Sequence, residues 1–295
     1  MARVPFTKGH GLGNDYLVME ERDIDFPLRP AAIQWICHRN WGVGSDGILL
    51  RTGSEVADVG LRIFNPDGSE AEKSGNGLRI FAKYLWERGG LRKSPMRIET
   101  KGGVVEAMCH LDGERVDQVT VEMGRATFRA PEIPMHGPDR EVVGVPLQVG
   151  DRFLTVTCVS VGNPHCVVFT EKLDDDEVRQ LGPRIENHPS FPNRTNVQFA
   201  RVVGRDRVEI RIWERGAGWT LASGSSSCAV AASAVRNGLV GGRLTIQSPG
   251  GELGVDVRED WSIRLRGPVA EVCEGALAPE LAHALRAGAP LPFEG

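Results

Sequence analysis

Residues 65–90 read NPDGSEAEKSGNGLRIFAKYLWERGG, and the change of character inside this stretch decides the fold. The first half is turn chemistry and carboxylates. From Leu78 onward Leu78, Phe81, Ala82 and Leu85 recur at helical spacing, and Gly89-Gly90 stops the pattern. Ser74 stands before Gly75 at the head of that helix. Residues 214–238, ERGAGWTLASGSSSCAVAASAVRNG, repeat the plan with Ser223 before Gly224, and their small apolar helix reads as buried within its own sheet.

Working outward, short strand-like runs surround both helices. DYLVMEE, GILLRTG, VGLRIFN, MRIET, VVEAMC and QVTVEMG belong to the first half. REVVGVPLQVG, FLTVTCVSVG, CVVFTE, TNVQFARVVG, RVEIRIWE, LTIQSPGGELGVDV and SIRLRG belong to the second. Their β-branched content and Gly, Pro and Asp punctuation predict antiparallel pairing. RPAAIQWICHRN is a further helix with Ile33, Ile36 and Cys37 on one face, and LDDDEVRQLGPRIE reads as a polar surface helix. The order predicts an α+β fold of two pseudo-symmetric halves, each a mainly antiparallel sheet curled around a central helix. Residues 1–128, completed by 270–295, form one half and 129–269 the other. ATFRAPEIPMHGPDR is the expected link, and the cleft between halves is the expected site.

Composition narrows the class. The 295 residues are 41% hydrophobic and 25% charged, with a net charge of -4, so there is no basic stripe for nucleic acid. No apolar signal core opens the chain and no run of 18 apolar residues occurs, which predicts a cytoplasmic protein without membrane insertion. The cysteines Cys37, Cys109, Cys158, Cys166, Cys228 and Cys273 lack CxxC spacing and read as free thiols, mostly core.

A helix N-terminus exposes unpaired N–H groups and partial positive charge, so SGNG and SGSSS could each hold a carboxylate or phosphate. Serine before a helix more often only caps it. Two such starts in similar contexts favour one small anionic ligand held by both. Asn14, Asn163, Asn196, Glu214 and Arg215 stand at strand ends and Gly-rich turns nearby. Arg215 suits a substrate carboxylate, whereas His165 reads as a satisfied hydrogen-bonding residue. GHGLGND resembles half of a dinucleotide fingerprint, but no βαβ unit surrounds it.

At this point the chain resembles the diaminopimelate epimerase family. GHGLGNDYLV, HRNWGVGSDGILL, NPDGSEAEKSGNGLRIFAKYL, VSVGNPHCVVF, GPRIENHPSFPNRTNVQF and WERGAGWTLASGSSSCA come in that family's order over nearly the whole chain. The resemblance implies a pyridoxal-independent isomerase of lysine biosynthesis that interconverts L,L- and meso-diaminopimelate, needs no cofactor or metal, and is a homodimer in many members. It places the substrate α-carboxylate against the amides of Gly75-Asn76 and Gly224-Ser225. Glu214 and Asn65 hold the reacting ammonium; Asn14, Asn163, Asn196 and Arg215 hold the distal end. Two cysteines of that family, one removing the Cα proton as thiolate and the other returning a proton from the opposite face, fall by position on Ser74 and Ser223.

Both are serine here. A helix dipole contributes at most about 2 kcal/mol, roughly one and a half pKa units, which helps a thiol near 8.5 but cannot make a serine hydroxyl a base. Cys228, five residues after Ser223, reads as core. Trp219 replaces a residue that is usually polar, and SGSSSC replaces the family's CGTGAC. Three readings stand: an epimerase whose two thiols are exchanged for hydroxyls; a proton-transfer isomerase using another base, among Asp67, Glu70, Glu72, Lys73, His165 and Glu214; and a non-catalytic amino-acid-binding homologue.

Overall fold

A computed structural model describes residues 3–289 and 291. Its α-helices are α1 (Pro30–Cys37), α2 (Gly75–Glu87), α3 (Asp175–Glu186), α4 (Gly224–Arg236) and α5 (Pro279–Ala287). The chain divides into two compact units, Met1–Val121 with Pro268–Gly295, and Glu122–Gly267.

The first unit opens on the hairpin β1 (Pro5–Gly11) and β2 (Asn14–Glu20). It continues through β3 (Ile48–Thr52), β4 (Val59–Phe64), the two-residue β5 (Glu70–Ala71), β6 (Met96–Thr100), β7 (Gly103–Asp112) and β8 (Arg115–Arg125). Pairing alternates in sense. β1–β2, β3–β4, β4–β5, β6–β7 and β7–β8 are antiparallel, while β2–β3 and β4–β6 are parallel.

The second unit contains β9 (Val145–Val149), β10 (Arg152–Ser160), β11 (Pro164–Phe169), β12 (Asn196–Gly204), β13 (Arg207–Glu214), β14 (Gly218–Thr220), β15 (Arg243–Ser248), β16 (Gly251–Val257) and β17 (Ser262–Pro268). It repeats the sequence of senses: β10–β11 antiparallel, β11–β12 parallel, β12–β13 and β13–β14 antiparallel, β13–β15 parallel, β15–β16 and β16–β17 antiparallel. β18 (Ala270–Ala276) then pairs with β1, as β9 does with β10. The halves therefore share one topology, with α2 matching α4 and α1 matching α3.

Alternation along the strands gives each sheet two apolar faces. Leu17, Met19, Ile48 and Leu50 join Ile33 and Ile36 of α1 and Leu285 of α5 in one core. Val197, Phe199, Cys166 and Val168 join Val178, Leu181 and Ile185 of α3 in the other. The residues between them face the central helices: Leu49 lies against Gly77 of α2 and Gln198 against Ser226 of α4.

The pairing is mainly antiparallel, as expected, with two parallel pairs in each unit. Other expectations need correction. α3 is not merely a polar surface helix: Val178, Leu181, Gly182, Ile185 and Glu186 are buried. The expected link, ATFRAPEIPMHGPDR, packs into the second unit, with Ala130, Ile133 and Met135 in its core. LTIQSPGGELGVDV is a hairpin of two strands, and REVVGVPLQVG supplies one short strand. Cys37, Cys158, Cys166 and Cys228 are buried, Cys109 is partly so, and Cys273 is exposed.

Candidate active site

The two central helices begin with the same device. Ser74 and Ser223 are both extended N-cap residues, with φ -138° and -148°. Ser74 Oγ accepts from Gly77 N at 3.1 Å, and Ser223 Oγ from Ser226 N at 3.5 Å. Each cap takes the third amide of its helix and leaves the amides of Gly75 and Asn76, or Gly224 and Ser225, without a capping partner. Two N–H groups at the positive end of a helix are suited to a carboxylate.

In the first unit the head of α2 is braced from behind. Asn76 Nδ2 donates to Asn14 Oδ1 at 3.1 Å, and Asn14 Nδ2 donates to Asp46 Oδ2 at 2.9 Å. Arg79 is fully buried; its guanidinium donates to Asn76 Oδ1 and to Gly75 O. Gly11 makes room for it, since a Cβ there would lie 2.8 Å from an Arg79 terminal nitrogen. Arg39 bridges Asp15 and Asp46, and Lys8 also pairs with Asp15. Burial would raise the Asp15 carboxyl, but hydrogen bonds from Arg39 and Lys8 outweigh it and hold the pKa down at about 2. The Tyr16 hydroxyl lies 3.4 Å from Ser74 Oγ. Asn65 stands in the turn after β4, where its Nδ2 donates to Ser69 Oγ at 2.9 Å.

In the second unit the same positions carry different chemistry. Gln198 Nε2 donates to His165 Nδ1 at 3.1 Å and to Ser226 Oγ at 3.0 Å, and His165 Nε2 donates to Asn163 Oδ1 at 2.8 Å. Burial drives the His165 pKa down to about 3, opposed by the Gln198 bond, so the imidazole is neutral. Asn196 does not stand free: Nδ2 donates to Pro164 O, and Oδ1 accepts from Arg215 N at 3.0 Å. Arg215 is exposed, with one terminal nitrogen donating to Asn193 O. Glu214 closes β13 immediately before it. Trp219 packs on the core beneath the Arg179 guanidinium, 4.4 Å from the ring centre, which explains an aromatic residue there.

Asn65 and Glu214 occupy matching places. Gly68 N donates to Asn65 O and Ala217 N to Glu214 O, so each begins the turn between two antiparallel strands. Two of the alternative bases are committed elsewhere. Asp67 accepts from the Ser69 hydroxyl and amide, and Glu70 pairs with Arg62; both carboxyls are held below their ordinary range by those bonds. The remaining thiols are no replacement. Burial pushes Cys37 and Cys109 up to about 11, the Cys158 contact and burial raise Cys166, and Cys228 is fully buried. Sequence reasoning missed Tyr16, Arg79, Asp46, Gln198 and Glu186. Only Arg79 carried a signal, as a cation on the apolar face of its helix.

Two halves of one topology, each with a capped central helix, recur in solved structures of other proteins. Solved structures share the architecture: a probable proline racemase from Agrobacterium radiobacter (TM-score 0.71, 16% identity, 95% of both chains) and a hydroxyproline epimerase from Agrobacterium vitis (TM-score 0.70, 15% identity, 96% of this chain and 94% of that one). The profile of diaminopimelate epimerase matches residues 6–129 and 157–271. Diaminopimelate epimerase 2 of a Nostoc species is 48% identical over 94% of this chain and 96% of its own length. Diaminopimelate epimerase of Pelotomaculum thermopropionicum is 43% identical over 92% and 97%. The chain belongs to the diaminopimelate epimerase family and is an isomerase by that membership. Among the described residues no helix is long and apolar enough to cross a membrane.

Proposed function

We propose that this chain binds diaminopimelate in the cytoplasm and acts at its Cα by proton transfer between the L,L and meso forms, with the step slowed by hydroxyls at both transfer positions. The observation that carries the reading is the matched pair of capped helix starts, each with two uncapped amides. The α-carboxylate lies against Gly75-Asn76 and Gly224-Ser225, where fixed donors also stabilise the charge that develops as Cα loses its proton. Asn65 and Glu214 take the reacting ammonium. Asn14, Asn163, Asn196 and Arg215 recognise the distal amino-acid end, which sets diaminopimelate apart from simpler amino acids. Ser74 and Ser223 take the two proton-transfer positions, which family membership supports.

Three of the alternative bases are poorly placed for the role. Asp67 and Glu70 are stabilised as carboxylates, and His165 is neutral with both ring nitrogens engaged. Calorimetric titration with meso-diaminopimelate and with L-lysine tests the binding half of the proposal. The expected result is measurable affinity for the former, at least about tenfold weaker for lysine because the distal carboxylate loses its charge-assisted bonds. Equal affinity, or none for diaminopimelate, overturns it.

A further inference from the structure

We propose that Glu186 is a positioning residue that sets the Arg215 turn for the substrate; the role rests on the function proposed above. Glu186 is the last residue of α3 and only 5% exposed. One carboxylate oxygen accepts from Gly216 N at 2.9 Å and from Arg194 at 3.1 Å; the other accepts from Trp213 Nε1 at 2.8 Å. Its carbonyl accepts from Thr195 N at 3.2 Å.

A carboxylate at this place is unfavourable on two counts. It lies at the negative end of a helix, and burial of a charge is costly without partners. Three side-chain and backbone donors, one of them cationic, offset that cost. What they hold in common is the frame of the candidate site. Thr195 precedes Asn196, Gly216 follows Arg215, and Trp213 precedes Glu214. The Arg215 N to Asn196 Oδ1 bond joins the two segments directly. Gly216 has φ +80°, so the turn depends on a residue with no side chain to brace it, and the carboxylate supplies the brace. α3 has no slack to shift, because a Cβ on Gly182 would lie 2.6 Å from Trp213 Cγ.

Among the described residues the first unit shows no matching carboxylate clasp. Its matching turn is held from within by Asp67, which accepts from Ser69, with one bond from Gln34 of α1 to Asp67 O. Glu186 is therefore a clasp particular to the half that carries Arg215.

The test is Glu186→Gln in the full chain, read by calorimetric affinity for meso-diaminopimelate and by amide hydrogen exchange at Arg215 and Gly216. Glutamine keeps the volume but turns one acceptor into a donor. Gly216 exchange is expected to rise about tenfold and the affinity to fall about tenfold, the scale of one unsatisfied buried bond. Trp213 emission reports independently that its indole has lost its acceptor. Arg152→Ala, which removes an exposed ion pair to Glu177 on the same helix, changes neither reading. Glu186→Asp, which retracts the carboxylate but keeps the charge, gives the same losses and serves if the glutamine variant does not fold. Affinity and exchange both within twofold of the native chain, with Trp213 emission shifted, overturn the proposal. A native chain that binds no diaminopimelate defeats the function proposed above, and Gly216 exchange then decides the clasp alone: faster exchange supports it, unchanged exchange overturns it.

Discussion

The two helix starts share a cap and differ in what lies behind it. Setting Asn14 over Asn163 places Tyr16 at His165, and the parallel registers Val18↔Leu49 and Val167↔Gln198 place Leu49 at Gln198. In the first unit Leu49 fills the space under Gly77, and the head of the helix is braced by its own Arg79 and, from outside it, by Asn14 and Asp46. In the second unit that space holds a buried polar chain, Asn163–His165–Gln198–Ser226, and the helix itself is small: Ala229, Ala231, Ala232, Ser233 and Ala234 are all buried. One topology thus fills the space beneath one helix with an apolar side chain and beneath the other with a hydrogen-bonded one. The cap geometry survives the exchange, which locates the constraint in the N-terminus rather than in its surroundings.

The largest break in this comparison is expected from Phe81, fully buried on α2. Phe81→Ala is expected to cost about 3–5 kcal/mol by cavity formation, measured by chemical denaturation. The second prediction concerns pH. The His165 pKa is about 3 when folded against 6.5 for its ordinary value, so the unfolded chain binds the proton first as pH falls. Stability from this group is complete above pH 6.5 and is lost progressively toward pH 3, on the order of 3 kcal/mol between pH 7 and 4. Asp15, held at about 2, adds a loss only below pH 4. His165→Gln should flatten the slope between pH 6.5 and 4; an unchanged slope contradicts the assignment.

Smaller effects sharpen the contrast. Ala232→Leu overpacks the small helix and should cost about 1–3 kcal/mol, read by chemical denaturation. Removing the caps should separate the starts most finely. Ser74→Ala loses a 3.1 Å bond and should cost about 1 kcal/mol, and Ser223→Ala, with its 3.5 Å bond, only a few tenths. Equal costs would mean that the caps are energetically alike despite their distances.

Much of this was legible in the sequence. The helix starts could be read because Ser-Gly followed by an apolar 3.6 period is a local signal at residues 74–85. The duplication could be read from the order of elements. What escaped was non-local. Glu186 sits in the charged run LDDDEVRQLGPRIE, where a carboxylate ordinarily faces water, and only the fold brings Trp213 and Gly216 to it. Gln198 in TNVQFARVV looks like a strand's outward polar residue but points beneath α4. β1, β18 and α5 were passed over, since PFTKGHG and AEVCEGA lack clean alternation and α5 is short. Arg215 was legible as a guanidinium beside a glycine turn, but not its bond to Asn196.

The most direct measurement is Cα–H exchange of meso-diaminopimelate in deuterated water, followed by NMR with the native chain and with the Ser74→Cys, Ser223→Cys double variant. The account predicts slow or undetectable exchange for the native chain and a gain of orders of magnitude with thiols, whose pKa lies within reach of the helix dipole. No gain in the double variant, with diaminopimelate bound, would contradict the placement of Ser74 and Ser223 at the two proton-transfer positions.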